Sequence, residues 1–282
     1  ITAVFEGNAS AAKPELEHLY PAGAAQGSTN IVTLSGTFEP WPPQIWVEGT
    51  GVDCNFETNK GKVEFIIATN ASPGPRLVRL YNSEGASDPR IFVIGDGPEV
   101  AETEPNDHYS KPASIEGFPA LINGQLEKNG DVDSYLVSLK SGEWLEARMQ
   151  NYVLMGKIDG VLRLLTREGE QIAWNHDSGT LDPHLSWQSP IAQDVVLQVF
   201  GFAYPANSEI RLAGGPGGSY RLHLAVSSEP PKTGCGLITE TAPNEVRQEA
   251  GALTLPARIS GVILNGKDED WFAFEAEKDA VY

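Results

Sequence analysis

Between residues 219 and 227 apolar and polar side chains alternate. Tyr220, Leu222, Leu224 and Val226 fall on one side, Arg221, His223 and Ala225 on the other. A period of two sets one face of an extended strand against a core and the other in water, as in an antiparallel sheet. Short runs of the same kind lie at 31–34, 45–47, 63–67, 77–81 and 91–94, then at 120–126, 134–139, 144–150, 161–166, 171–174 and 195–200. Turn formers separate them, among them Gly49-Thr50-Gly51, Asn59-Lys60-Gly61 and Ser72-Pro73-Gly74-Pro75. The chain has 29 glycines and 20 prolines, where average usage gives about 34 of the two together. No apolar stripe of period 3.6 is sustained, so helical bundles and coiled coils are excluded. The predicted fold class is all-β, built as tandem β-sandwiches.

The spacing divides the chain. Residues 1–13 read as a lead-in and 14–98 as a first sandwich, with Gly95-Asp96-Gly97-Pro98 as its boundary. Residues 99–228 read as a second sandwich, and 229–236, containing Pro230-Pro231 and Gly234, as a linker. Residues 237–282 repeat the start of the second sandwich. Glu102-Thr103-Glu104-Pro105-Asn106-Asp107 recurs 138 residues later as Glu240-Thr241-Ala242-Pro243-Asn244-Glu245. After a one-residue deletion, Pro119, Ile122 and Gly124 meet Pro256, Ile259 and Gly261, and Asp131-x-Asp133-x-Tyr135 meets Asp268-x-Asp270-x-Phe272. The register predicts that Phe272 and Phe274 take the places of Tyr135 and Val137. About a third of a sandwich cannot cover its own apolar face. The expectation is therefore that the chain is a piece of a longer protein, the alternative being that the partial repeat leans on a neighbour; a start without Met points to the former.

The formal net charge is −18. Nucleic acids and anionic membranes reward a basic surface and are disfavoured as partners; divalent cations, or simply a solvated secreted surface, are favoured. No run of 18 apolar residues exists, so no helical span is expected. No signal peptide is visible at the start. The two cysteines, Cys54 and Cys235, read as separate thiols, with a bridge as the alternative.

Acidic residues concentrate in the second sandwich. Glu102, Glu104 and Asn106 share one face of an extended segment, which Pro105 favours, and Asp107 adds a further oxygen. Asp133 has the parity of Tyr135, Val137 and Leu139, the row expected to face inward, and Asp131 precedes it. A carboxylate at the mouth of a buried row needs a partner, and Lys128 alone is too little. Ca²⁺ accepts such all-oxygen donor sets; solvated turn residues are the alternative reading. Asn175-His176-Asp177, with Asp182 beyond, forms a third polar cluster.

These motifs, with Gly169-x-x-Ile172-Ala173-x-Asn175-x-Asp177 and Gly218-x-Tyr220-x-Leu222, resemble in their order the bacterial pre-peptidase C-terminal (PPC) domain. The resemblance covers residues 99–228 and, truncated, 237–282. It implies a jelly-roll-like sandwich that accompanies secreted peptidases and large bacterial surface proteins. It also implies calcium as cofactor, held by Glu102, Glu104, Asn106, Asp107, Asp131 and Asp133. His176 interrupts a pair that is often acidic in the family. Residues 14–98 resemble, more weakly, the immunoglobulin-like TIG domains, through Pro21-x-Gly23, Gly27-x-Thr29, Val32-x-Leu34-x-Gly36 and Gly85-x-Ser87 before Phe92-x-Ile94.

Catalytic signatures are missing. None of the five histidines forms His-x-x-x-His, and Gly-x-Ser-x-Gly does not occur. Trp144 and Trp174 are expected in the core and His223 at the surface. In the long 201–219 loop, Phe202 and Tyr204 are the candidates for binding a polymer. The sequence thus predicts a non-catalytic, Ca²⁺-stabilised spacer or adhesion region of a secreted, periplasmic or surface protein. The alternative is an accessory module that binds an extracellular protein or polysaccharide for a peptidase or other hydrolase. No membrane insertion is expected.

Overall fold

The computed structural model describes residues 12–208, 211–230, 237–255, 257–266 and 268–278. Cys235, Pro256 and most of the predicted lead-in and linker lie outside these residues. The architecture is all-β. The described residues up to Glu229 form one compact unit and those from Pro230 onward a second.

The first unit contains two hydrophobic clusters. Around the first lie β1 (Glu15–Tyr20), β2 (Gly23–Ala25), β3 (Thr29–Thr37), β4 (Gln44–Val47), β5 (Val52–Phe56), β6 (Lys62–Ile67), β7 (Gly74–Asn82), β8 (Gly85–Ala86) and β9 (Arg90–Gly95). They form two sheets, ordered β1-β3-β6-β5 and β2-β9-β7-β4, with β8 on β7. Alternate residues of facing strands fill the space between: Val32, Val63 and Phe65 from one sheet, Val78, Leu80 and Phe92 from the other, all fully buried. Phe65 and Phe92 meet with ring centroids 4.9 Å apart. Cys54 is a free thiol whose pKa burial raises to about 12.

Around the second cluster lie β10 (Glu99–Ala101), β11 (Ala113–Ser114), β12 (Ala120–Gln125), β13 (Asp133–Leu139), β14 (Trp144–Gln150), β15 (Ile158–Thr166), β16 (Gln171–Asn175), β17 (His184–Gln188), β18 (Gln193–Ala203) and β19 (Ser219–Ser227). The sheets are ordered β10-β12-β19-β14-β17 and β11-β13-β18-β15-β16. Tyr135, Val137, Leu162, Leu164 and Leu197 from one sheet face Ile122, Leu145, Ala147 and Leu222 from the other.

Three sequence expectations need correcting. Arg221, placed on the wet side of β19, is only 2% exposed, because its guanidinium lies against Gly95 and against Gly23, where any side chain would collide with it. Trp174 is 55% exposed rather than in the core. It stands opposite Arg163 on the outer row of β15, and its own strand β16 is the edge of that sheet. Trp144 is half-buried at the start of β14. The long loop is also shorter than its composition implies, because β18 extends to Ala203.

The second unit has two parallel pairs: β20 (Leu237–Thr239) with β22 (Arg258–Ser260), and β21 (Gly251–Leu253) with β23 (Phe272–Phe274). Ile238 pairs with Ile259 as Val100 pairs with Ile122, and Gly251 pairs with Phe272 as Ala113 pairs with Tyr135. Side-chain caps recur too. Glu240 accepts from the Val262 amide as Glu102 does from Gln125, and Asp268 accepts from Leu264 as Asp131 does from Glu127. Phe274 and Leu264 stand 46% and 77% exposed.

Candidate functional site

The candidate metal centre forms where the segment after β10 crosses the entry to β13. β13 opens on Asp133, and its inward row Asp133, Tyr135, Val137 and Leu139 is buried throughout. Glu102 enters because Gly124 leaves room. A Cβ at Gly124 would lie 2.7 Å from Glu102 Oε2 and 2.2 Å from Tyr220 Cζ. Glu102 Oε1 accepts from the Gln125 amide at 2.6 Å. The Tyr220 hydroxyl lies 3.2 Å from Glu102 Oε2 and donates to Asp133 Oδ2 at 2.6 Å. The Tyr135 hydroxyl is 2.6 Å from that of Tyr220. Tyr20, at the end of β1, comes close enough for the Glu102 charge, after burial, to raise its phenol.

Glu102, Glu104 and Asp133 each offer an oxygen within 4.8 Å of the others, and Glu104, Asp107 and Asp131 do the same. Glu104 joins the two groups. Asn106 lies between them, 1% exposed. Its backbone carbonyl accepts from Ser134, which ties the segment to β13. All six predicted ligands thus converge.

The electrostatics of the group are those of crowded, desolvated acids. Burial, and then the neighbouring Glu102, push the Asp133 carboxyl up to about 9; burial raises Glu102 to about 7. Asp131 is raised by burial and by its contact with Asp107. Lys128 approaches Asp131 Oδ1 and Asp107 Oδ2 only to 3.8 and 3.9 Å, from a largely exposed position.

Two observations test the fit to a cation. Asp131 Oδ1 is buried and accepts no hydrogen bond. The Asn106 amide lies 3.2 Å from both Asp133 Oδ1 and Glu104 Oε1. With its NH₂ toward them it donates to both carboxylates. Rotated by half a turn, it offers a further oxygen in the same place, at no steric cost. The donors are all hard oxygens, and their number suits Ca²⁺.

The third polar cluster is separate. Asp182 is buried and accepts from the amides of Asn151, Tyr152 and Val153 at 2.8–3.0 Å, which fixes a turn. His176 and Asp177 group with Asp159 instead. Phe202 is 40% exposed on β18. Tyr204 meets Tyr152 edge-on at 5.2 Å. A cleft of about 860 Å³ lies away from the acids, with Arg148, His184 and His223 among its lining residues. His223 is exposed, as expected from sequence. The tyrosines at the acidic group had a sequence signal in the Asp133-x-Tyr135 and Gly218-x-Tyr220 spacings. Tyr20 had none, since it arrives from another sheet.

No family model and no curated protein matches the chain. Among solved structures, it is similar to PliG, a periplasmic inhibitor of g-type lysozyme from Aeromonas hydrophila, at 12% identity and a TM-score of 0.30, over 46% of this chain and 98% of that one. It is also similar to the pre-peptidase C-terminal domain of a Bacillus anthracis collagenase, at 15% identity and TM-score 0.28, over 47% of this chain and all of the other. A third is SGBP-B of the Bacteroides ovatus mixed-linkage glucan utilization locus, in complex with a heptasaccharide, at 10% identity and TM-score 0.23, over 74% and 73% of the two chains. Likeness this distant carries no inference about ligand or activity.

Proposed function

We propose that this protein is a non-catalytic adhesion or spacer module that works outside the cytoplasm and is stabilised by Ca²⁺. In this reading residues 14–98 and 99–228 are its two domains, and 237–282 is a partial second copy of the latter. The ligands are Glu102, Glu104, Asn106, Asp107, Asp131 and Asp133. The observation that carries the reading is the buried, hydrogen-bond-free Asp131 Oδ1 within a group of converging oxygens. Bound there, Ca²⁺ supplies the positive charge that five crowded carboxylates lack. Glu102 and Asp133 hold the lower end of the group, the Tyr220 hydroxyl orients Asp133, and Tyr20 links the group to the first hydrophobic cluster's strands.

Calorimetry on metal-stripped protein tests it. Saturable Ca²⁺ binding is expected, and none at millimolar concentration refutes the site. The second reading, an accessory module that holds a polymer for a hydrolase, is favoured by the exposed aromatics Trp174 and Phe202.

A further inference from the structure

The outer face of the β11-β13-β18-β15-β16 sheet carries chemistry that neither the core nor the acidic group uses. Trp174 on β16 stands opposite Arg163 on β15, and Phe202 on β18 stands opposite Asp159 on β15. Asp159 and Arg163 have the same parity, so all four share the face that points away from the core. Trp174 and Phe202 are 55% and 40% exposed. Tyr204 follows Phe202 at the same parity. Trp174 and Phe202 thus leave aromatic surface in water on one face of the sheet.

Polar groups are set between the rings. His176 stacks on Trp174, with centroids 5.3 Å apart and planes 13° from parallel, which holds the indole in place. His176 Nδ1 lies 3.0 Å from Asp177 Oδ2. Asp159 brings an oxygen within 4.8 Å of both, and its Oδ1, shielded from water, has no hydrogen-bond partner. The order across the sheet is therefore indole, imidazole with two carboxylates, then phenyl.

This order selects its occupant. A purely apolar partner would strip water from Asp159 and from the His176–Asp177 pair without replacing it, at a cost. A polyanion, whether nucleic acid, anionic membrane or acidic glycan, is repelled by these carboxylates and by a chain of net charge −18. A neutral sugar chain suits both kinds of group. The C–H face of a pyranose carries small positive partial charges that meet the negative face of an aromatic ring. The hydroxyls at its edge donate to carboxylates and to a neutral imidazole. Neighbouring strands lie about 4.8 Å apart, so three adjacent strands span more than one sugar ring.

We propose that Trp174, His176, Asp177, Asp159 and Phe202 form a binding face for a neutral polysaccharide. This rests on the reading of the protein as a non-catalytic binding module and names its ligand class. It is independent of the acidic group.

Hexasaccharides of β-linked glucose, mannose and xylose, with a hexamer of galacturonic acid as the charged control, test it by titration calorimetry of the whole chain. At least one neutral hexamer is expected to bind and the galacturonate hexamer is not. Trp174→Ala should weaken binding at least about tenfold, as loss of a central aromatic contact does, and Asp159→Asn should weaken it less. Both positions are outside the core, and thermal melting confirms that the variants fold. If Trp174→Ala does not fold, Trp174→Phe with intrinsic fluorescence replaces it: the sugar-induced spectral change of the wild type should be lost. Binding to none of the neutral hexamers, preference for the galacturonate, or unchanged affinity in the Trp174 variants overturns the proposal. Chromatography of the same mixtures separates this from the reading beneath it. Chain cleavage would overturn the non-catalytic reading, whereas absence of binding overturns only the glycan face.

Discussion

Arg221 on β19 ends on Glu99 of β10, and both side chains are almost fully shielded, at 2% and 4% exposure. Burial raises Glu99 and lowers Arg221 despite their pairing. Desolvation therefore outweighs attraction for both partners. Glu99 also accepts from Asn123 Nδ2 at 2.7 Å, while Arg221 Nε has no hydrogen-bond partner.

Breaking such a pair on one side strands a buried charge, at about 3–5 kcal/mol. Arg221→Met should cost stability of that order in denaturant melts. Arg221→Met combined with Glu99→Gln should recover most of it, since the amide can still meet Asn123. Equal losses in the single and double variants would show that Arg221 acts by packing on Gly23 and Gly95 alone.

Ca²⁺ should raise the melting temperature and a chelator lower it, because a ligand that binds only the folded state stabilises it by mass action. At a hundred times the dissociation constant this amounts to about 2.7 kcal/mol. Asp131→Ala with Asp133→Ala should abolish the response. A response that survives in the double variant would place the ion elsewhere.

Without metal, the acidic group sets an unusual pH dependence. Its carboxyls titrate higher in the folded chain, with Glu102 at about 7 and Asp133 at about 9, than the ordinary 4.5 and 3.8. Below the ordinary values both states hold these protons, and the contribution to stability is complete. As pH rises, the unfolded chain releases them first, so stability falls until the folded group also ionises. In chelator, wild type should therefore lose stability relative to Asp133→Asn between about pH 4 and 9. Ca²⁺ selects the ionised group and should flatten the difference. Parallel pH profiles for the two proteins in chelator would contradict this account.

Gly124→Ala should destabilise by about 1–3 kcal/mol, as overpacking does. The new methyl would meet the Tyr220 ring and Glu102 at once. Ca²⁺ affinity should fall with it, because both groups border the acidic cluster. Gly97→Ala, with nothing within 4 Å of the added carbon, is the control and should be silent. A Gly124 variant as stable as the control would mean that β12 shifts to absorb the methyl.

Much of this was legible from the sequence because period two is a local signal. The inward row Asp133, Tyr135, Val137, Leu139 and the alternation of β19 are visible in a dozen residues, and so is the recurrence of the acidic motif. What stayed hidden depends on contacts far apart in the chain. β17 and the short parallel strands β10 and β11 have no periodicity to read. Arg221 is buried by glycines 198 and 126 positions away. Trp174 looks like a core residue by type, and only the bulge in register before it and its place on an edge strand decide otherwise. The acids could be paired by spacing, but the tyrosine hydroxyls that orient them arrive from three strands.

The order β10-β12-β19 has a mechanical consequence. β10 runs parallel to β12, and β19 antiparallel to both. The backbone therefore enters at Glu99 and leaves after Ser227 from the same end of that sheet. Tension applied at those two points would peel β10 from β12 one rung at a time instead of shearing the whole edge, and the first rung is the one that Glu99 bolts to Arg221.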